Sequence, residues 1–364
     1  MYVIFSLLLV VAVVTLYILN GEKFGNSPTG ERMARISRSA HYSDGSFQNL
    51  NPTPVMSEDA NYFAVFRDAL FGRSKRNRPH DKLPAQKNDL KKLNPEENLL
   101  VWFGHSSYLM QIDGKKILVD PVFSGNASPF SFAVKSFDGT DVYTTDDMPD
   151  IDYLVISHDH WDHLDFETVE KLKPRISKVI TGLGTGAHFE RWGFAPEQIV
   201  ELDWSESVSP DSGFVFTATP ARHFSGRGFR RNQAIWSSFV LQTPSKKIFI
   251  GGDSGYDTHF AKIGAEHGPF DLALLECGQY NQYWKYIHNM TWQTVQEAVE
   301  LKAKTLMPVH WAKFALAYHA WDEPIEQVVK EAGRLSVPII HPMIGAIVNL
   351  DEMGDTPEWW KGVD

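Results

Sequence analysis

The stretch Tyr153-Leu-Val-Ile-Ser-His-Asp-His-Trp-Asp-His-Leu-Asp165 constrains this chain more than any other. Tyr153 to Ser157 is a short apolar run that reads as a buried strand, and it stops at a cluster holding His158, Asp159, His160, Asp162 and His163. Imidazole and carboxylate suit zinc and related divalent ions, and a loop at the end of a rigid strand turns alternate side chains toward one point. His158 and His160 can converge on one ion, while Asp162 and His163, a turn later, can hold a second. Asp165 reads as the N-cap of a helix over residues 166–173. The bland alternative is a solvated polar loop, but such a loop has no reason to collect so many ligand types at this spacing.

From residue 99 the pattern is that of strands: 99–103, 108–112 and 116–119, with Asp113-Gly114 turning the hairpin between the last two. Further strands are expected over 178–181, 213–219, 234–242, 247–250, 272–275 and 305–309, with a helix over 294–302. The loop Gly182-Leu-Gly-Thr-Gly186 lacks the Gly-Lys-Ser/Thr that completes a phosphate cradle, so it reads as a strand-to-helix turn. His223, Asp253 and His310 each follow the C-terminal end of a strand, as the His/Asp cluster does. Any one of them alone is more often a hydrogen-bonded core residue than a ligand.

The tetrad His158-x-His160-x-Asp162-His163 resembles the signature of the metallo-β-lactamase fold, an α/β architecture in which an αββα sandwich of two similar halves carries a dinuclear metal site along one edge. The chain resembles more closely the N-acyl-phosphatidylethanolamine-hydrolysing phospholipase D family. That resemblance covers about residues 98–350 and rests, besides the tetrad, on Trp102-Phe-Gly-His105, Asp120-Pro-Val-Phe123, Glu201-Leu-Asp-Trp204, Gly251-Gly-Asp-Ser-Gly-Tyr256, Gly268-Pro-Phe-Asp-Leu-Ala273, Lys285-Tyr-Ile-His288 and His310-Trp-Ala-Lys-Phe-Ala-Leu-Ala317. It implies two divalent ions, zinc before manganese or iron. His158, His160 and His223 would hold one ion, Asp162, His163 and His310 the other, and Asp253 would bridge them.

The activity the resemblance implies is phosphodiester hydrolysis of an N-acylated membrane phospholipid, with Asp162, Asp253 and His288 as catalytic residues. A lactonase or carboxyl-ester hydrolase is the alternative enzyme, and a metal-binding sensor or scaffold without turnover is the alternative of another class. His288 and Tyr280 match the part of that family that faces substrate, where a histidine can protonate a leaving alkoxide. For Tyr280 core packing is an equal reading. His105 is expected to support the ligands from behind and Asp159 to make local hydrogen bonds. His41, His80, His259, His319 and His341 take the bland reading.

With 364 residues, 43% of them hydrophobic, the chain can bury a large core, and residues 98–350 read as one hydrolase domain. A net charge of -10 opposes a nucleic-acid partner. The single cysteine, Cys277, allows no intramolecular disulfide and reads as a small buried hydrophobe. Oligomeric state is left open by the sequence. Residues 1–19 carry no charge, and residues 1–20 are expected to form an uncleaved single-pass anchor in the lipid bilayer, with a cleaved signal peptide as the competitor. Lys23, Arg32, Arg35 and Arg38 follow it, which places the body in the cytoplasm by the positive-inside rule. Residues 21–97 read as a juxtamembrane arm with partial structure and residues 351–364 as a C-terminal tail. Within the arm, Tyr62, Phe63, Phe66, Ala69 and Leu70 recur at helical spacing behind a possible Asp59 cap, as a stripe for the sandwich or for a membrane surface.

Overall fold

Period-2 alternation along the strands builds two sheets that share a core. The computed structural model describes residues 2–58 and 60–364. On β6 (Ile151–Ile156), Tyr153 and Val155 join the central core, while Leu154 and Ile156 join a second cluster on the opposite face. A strand apolar on both faces belongs in the middle of a covered, partly parallel sheet. Its neighbours are β5 (Lys115–Val119) and β7 (Ile176–Gly182), both parallel to it. The sheet continues through β8 (Ile199–Leu202) on one side and β4 (Tyr108–Ile112), β3 (Leu99–Trp102) and β15 (Ile347–Asn349) on the other, in the order β15-β3-β4-β5-β6-β7-β8. Asp113 and Gly114 turn the β4–β5 hairpin with φ of 48° and 76°, the left-handed pair that the Asp-Gly dipeptide predicts.

The second sheet has the order β14-β13-β12-β11-β10-β9, formed by β9 (Ser207–Asp211), β10 (Phe214–Pro220), β11 (Ser237–Gln242), β12 (Lys247–Ile250), β13 (Leu272–Glu276) and β14 (Leu306–Val309). Trp102, Met110, Val119 and Val155 of the first sheet share one buried cluster with Phe216, Phe239, Leu241 and Ile250 of the second. Each such side chain contributes about 1.5–3 kcal/mol when fully buried. Residues of α6 (His259–Glu266), α7 (Thr291–Glu300) and α8 (Glu323–Leu335) complete that cluster, while α4 (Phe166–Leu172) and α5 (Gly186–Arg191) cover the other face of the first sheet. The result is an αββα sandwich. Asp165 caps α4 as expected, accepting from the Glu167 amide at 3.2 Å.

The N-terminal segment requires a correction. Among the described residues no helix is long and apolar enough to cross a membrane. The helix α1 (Tyr2–Leu19) has 18 residues, about 27 Å at 1.5 Å per residue, against a hydrocarbon core of about 30 Å. The expected single-pass anchor over residues 1–20 is therefore not supported, and with it falls the cytoplasmic placement drawn from it.

The segment after α1 is tied to the body. Arg191 donates to the Asn20 and Gly25 carbonyls at 2.5 and 2.6 Å, Trp192 to that of Glu22 at 2.8 Å, and Arg227 to that of Lys23 at 2.8 and 3.0 Å. Further along, α2 (Gly30–Ile36) and the hairpin of β1 (Tyr42–Ser43) and β2 (Ser46–Phe47) bury Ile36 and Phe47 against Trp204 and Trp236. The expected Asp59 cap lies outside the described residues. Asn61 caps α3 (Tyr62–Phe71) by accepting from the Phe63 amide at 2.8 Å. The apolar stripe on α3 is not packed on the sandwich: Tyr62, Phe63, Phe66 and Leu70 are all exposed. At the other end, Trp359 and Trp360 are buried beside Trp311, so these two side chains anchor the segment of residues 351–364 in the core.

The Gly182–Gly186 turn is filled by the protein itself. Gly184 and Gly186 donate their amides to Glu201 Oε1 at 2.7 and 2.9 Å, and Arg32 Nε pairs with the other oxygen at 2.7 Å. The carboxylate occupies the place a phosphate would take in a cradle. Replacing Glu201 by Leu leaves two amides and a guanidinium without their acceptor. The expected cost is about 1–3 kcal/mol, read from urea unfolding, with a smaller loss for Glu201→Gln.

Candidate metal centre

Polar groups from six strand ends gather at one edge of the sandwich, and within each sheet the strands that carry them run in the same direction. His158–His163 follow β6, His223 follows β10, Asp253 follows β12, Glu276 ends β13, His310 follows β14, and His105 follows β3. The loops of His105 and His310 lock the two sheets together there. His310 N donates to His105 O at 3.0 Å and His105 N to Trp311 O at 2.8 Å, with both histidines at positive φ, 69° and 52°. Non-glycine residues in that region cost of order 1–3 kcal/mol each and persist where the surroundings hold them.

The far nitrogens of His158, His163 and His223 have partners that fix the rings. Ser157 Oγ donates to Asp120 Oδ2 at 2.6 Å, so its oxygen is left to accept from His158 Nδ1 at 3.0 Å. His163 Nδ1 donates to the Asp120 carboxylate at 2.8 Å, and His223 Nδ1 to the Ile287 carbonyl at 2.8 Å. An acceptor behind Nδ1 places the hydrogen there and turns the lone pair of Nε2 inward. His158 Nε2 and His223 Nε2 consequently meet His160 Nδ1 at 2.9 and 3.2 Å. Asn49 clamps the His223 backbone from the arm, accepting from its amide at 3.1 Å and donating to its carbonyl at 2.8 Å.

The electrostatics keep four of the five candidate rings ready to ligate. Burial lowers His158, His223 and His310 well below the ordinary imidazole range and His160 to about 4, so all are neutral at pH 7. Burial also opposes charge on His163, but the carboxylates of Asp253, Asp162 and Asp120 outweigh it and hold the ring well above its usual value. Asp253 is pushed up to about 7, chiefly by burial. Asp162 stays well below the carboxylate range despite burial because His163 and His105 face it, His105 Nε2 lying 2.9 Å from Oδ2.

Among the described residues, four sets of donor atoms lie within one ion's reach: His158, His160 and His223; His105, Asp162, His163 and His310; His158, His163 and Asp253; and Asp253, Glu276, His288 and His310. His163 Nε2, Asp253 Oδ1 and His310 Nε2 are buried with no hydrogen bond. Leaving such atoms unsatisfied is costly, and a divalent ion among them would remove the cost, so the residues fit the group. Asp253 stands between the sets, with Oδ2 3.2 Å from His163 Nε2 and 3.9 Å from both His158 Nε2 and His223 Nε2, and Oδ1 3.1 Å from His310 Nδ1.

Above this floor lies a cavity of about 210 Å³, with walls from Val55, Met56, Phe224, Trp284, Ile287 and Leu316. His288 lines it, with Nδ1 on Glu276 Oε2 at 2.7 Å. Tyr280 does not line it: its hydroxyl donates to Glu323 at 2.7 Å and its ring stacks on His319, so the packing reading accounts for it. Asp159 makes local bonds, to the Gly226 amide at 2.6 Å and to His188 at 3.2 Å. Sequence reasoning missed Asn49, Asp120, Ser157, Glu276 and Ser106, whose hydroxyl meets His310 Nδ1 at 3.0 Å, as supporting groups. Only Asp120, a carboxylate directly after a strand, carried a readable signal.

This fold and donor set define a metal-dependent hydrolase. The Beta-lactamase superfamily domain matches residues 115–311. An uncharacterized protein of Mycobacterium tuberculosis is 36% identical over 328 residues, 89% of this chain and 88% of that protein. The N-acyl-phosphatidylethanolamine-hydrolyzing phospholipase D 1 of Caenorhabditis elegans is 30% identical over 291 residues, 74% of this chain and 80% of that protein. Igni18, a metallo hydrolase from Ignicoccus hospitalis, shares the fold at a TM-score of 0.55 and 21% identity, covering 69% of this chain and 97% of that one. The chain belongs to the metallo-β-lactamase superfamily and, within it, to the hydrolases related to N-acyl-phosphatidylethanolamine-hydrolysing phospholipase D.

His160→Ala, Asp253→Ala and His310→Ala are each expected to lower metal per chain and abolish hydrolysis, whereas His259→Ala, at a ring that faces Ser254 at 3.3 Å, changes neither. Asp120→Ala keeps every candidate ligand and is expected to weaken metal affinity by about 10–100-fold. Elemental analysis and calorimetric titration of the purified variants check both. Full metal occupancy in Asp253→Ala would sink its bridging assignment.

Proposed function

We propose that this protein is a dinuclear phosphodiesterase of the phospholipase D type that acts on N-acyl-phosphatidylethanolamine-like lipids. One observation carries the reading: a cavity whose floor is the His/Asp donor set and whose walls are apolar suits an anionic phosphodiester flanked by hydrocarbon. In this reading His158, His160 and His223 hold one ion, Asp162, His163 and His310 the other, and Asp253 bridges them. Nitrogen and carboxylate donors favour zinc, with manganese or iron as alternatives. Ions bound there supply Lewis acidity, acidifying water and neutralising charge on a phosphoryl oxygen. Asp162 lines the cavity with one oxygen engaged by His105, which leaves the other to accept a hydrogen bond from the attacking water. Val55 and Met56 bring the arm into the cavity wall, where they pack against the lipid and exclude water.

The reading is tested by the fate of the water oxygen. Incubation with N-acyl-phosphatidylethanolamine in heavy-oxygen water is expected to place the label in phosphatidic acid, with the N-acylethanolamine leaving unlabelled. Label only in a free fatty acid or an opened lactone would make the protein an acyl hydrolase. No turnover of any ester by the fully metal-loaded protein would favour a sensor or scaffold.

A further inference from the structure

Glu276 is a buried carboxylate with no lysine or arginine partner among the described residues. It is 1% exposed at the end of β13, and among the described residues His288 is the one side chain it hydrogen-bonds. Fully buried Glu is rare unless paired, so the pairing calls for an account. Oε1 accepts from the Ser254 amide at 2.9 Å and the Asn289 amide at 3.3 Å. Both are backbone donors, one next to Asp253 and the other next to His288. They fix the carboxylate in one orientation and leave Oε2 to accept from His288 Nδ1 at 2.7 Å.

A hydrogen held on Nδ1 leaves Nε2 as the ring nitrogen free to act on a substrate. The His288 side chain is 14% exposed and lines the cavity beside His223 and His310, whose ring centroids lie 5.0 and 5.4 Å away. Asn289 also donates to buried Glu297 at 2.8 Å, which braces the loop that carries His288.

We infer that Glu276 is a positioning residue that sets the tautomer and aim of His288, so that the pair delivers a proton from His288 Nε2 to the departing alkoxide. The inference rests on the phosphodiesterase reading above. In the step, a water oxygen bonds to phosphorus and the proton it releases loads His288 Nε2, the bond from phosphorus to the alkoxide breaks with its electron pair on oxygen, and that oxygen takes the proton from Nε2, which returns the ring to its Nδ1–H form. Oε2 also lies 4.0 Å from His310 Nε2, and Glu276 falls within one ion's reach of Asp253, His288 and His310, so a ligand role is the competing explanation.

The test uses the full-length, metal-loaded protein with nitrogen-15-labelled histidine. In the native protein, His288, assigned by comparison with His288→Gln, is expected as the Nδ1–H tautomer, and Glu276→Leu is expected to lose that preference. Glu276→Gln keeps the shape of the side chain. It is expected to retain full metal content and to slow release of an alkyl alkoxide by about 100-fold, the scale of general acid catalysis. Release of nitrophenolate, which needs little protonation, is expected to fall by less than about 3-fold. An Nε2–H tautomer in the native protein, or equal slowing of both leaving groups, overturns the inference. Loss of metal in Glu276→Gln makes Glu276 a ligand and overturns it equally. If the native protein cleaves no phosphodiester, the functional reading fails, and the tautomer and metal content still decide the role of Glu276.

Discussion

Buried, neutral imidazoles whose lone pairs face one another are the constraint on which the rest of this structure depends. His158, His160 and His223 converge to within about one hydrogen-bond length, and burial keeps them uncharged. That convergence is held from behind. Ser157 and the Ile287 carbonyl occupy the outer nitrogens of His158 and His223, as Asp120 does for the neighbouring His163, and without them these rings would be free to turn or to change tautomer. The sandwich contributes by ending strands from both sheets at the same edge, so that short loops rather than long flexible ones carry the donors.

The segments outside the two sheets take part in this arrangement. Asn49 grips the His223 backbone at both its amide and its carbonyl while also accepting from Trp236 at 3.1 Å. Arg227 lies over Trp161 at 3.8 Å and donates to the carbonyls of Lys23, Asp159 and Leu164, which ties the segment after α1 to the loop holding His158–His163. On the other side, Trp311 follows His310 directly and stacks on Trp359 at 5.3 Å. A local disturbance in the arm or at the C-terminus therefore reaches the donor set through a small number of identifiable contacts.

The parts legible in the sequence were those written in adjacent residues. The apolar run into His158, the Asp165 cap and the Asp113-Gly114 turn depend on local chemistry and spacing, and the structure has all three. Other features were less readable for reasons that differ. Tyr280 sits in a motif that matches a substrate-facing segment, yet its hydroxyl is satisfied by Glu323, 43 residues away. The apolar N-terminal run predicted a span, but whether a run spans depends on where its helix stops, and α1 stops at Leu19. Glu201 gave no sign that it would fill the Gly182–Gly186 turn, because the turn and its occupant are separate in sequence.

By itself the sequence determined the types of ligand, their positions at strand ends and the layered α/β architecture, since periodicity and side-chain chemistry are local properties. Only the tertiary structure decided which nitrogen of each ring faces inward, that Asp120 and Ser157 orient the histidines, and that Glu276 stands behind His288. Those outcomes depend on the register and direction of strands far apart in the chain. Burial then turns a hydrogen bond made across that distance into a fixed tautomer, because no solvent competes for the partner.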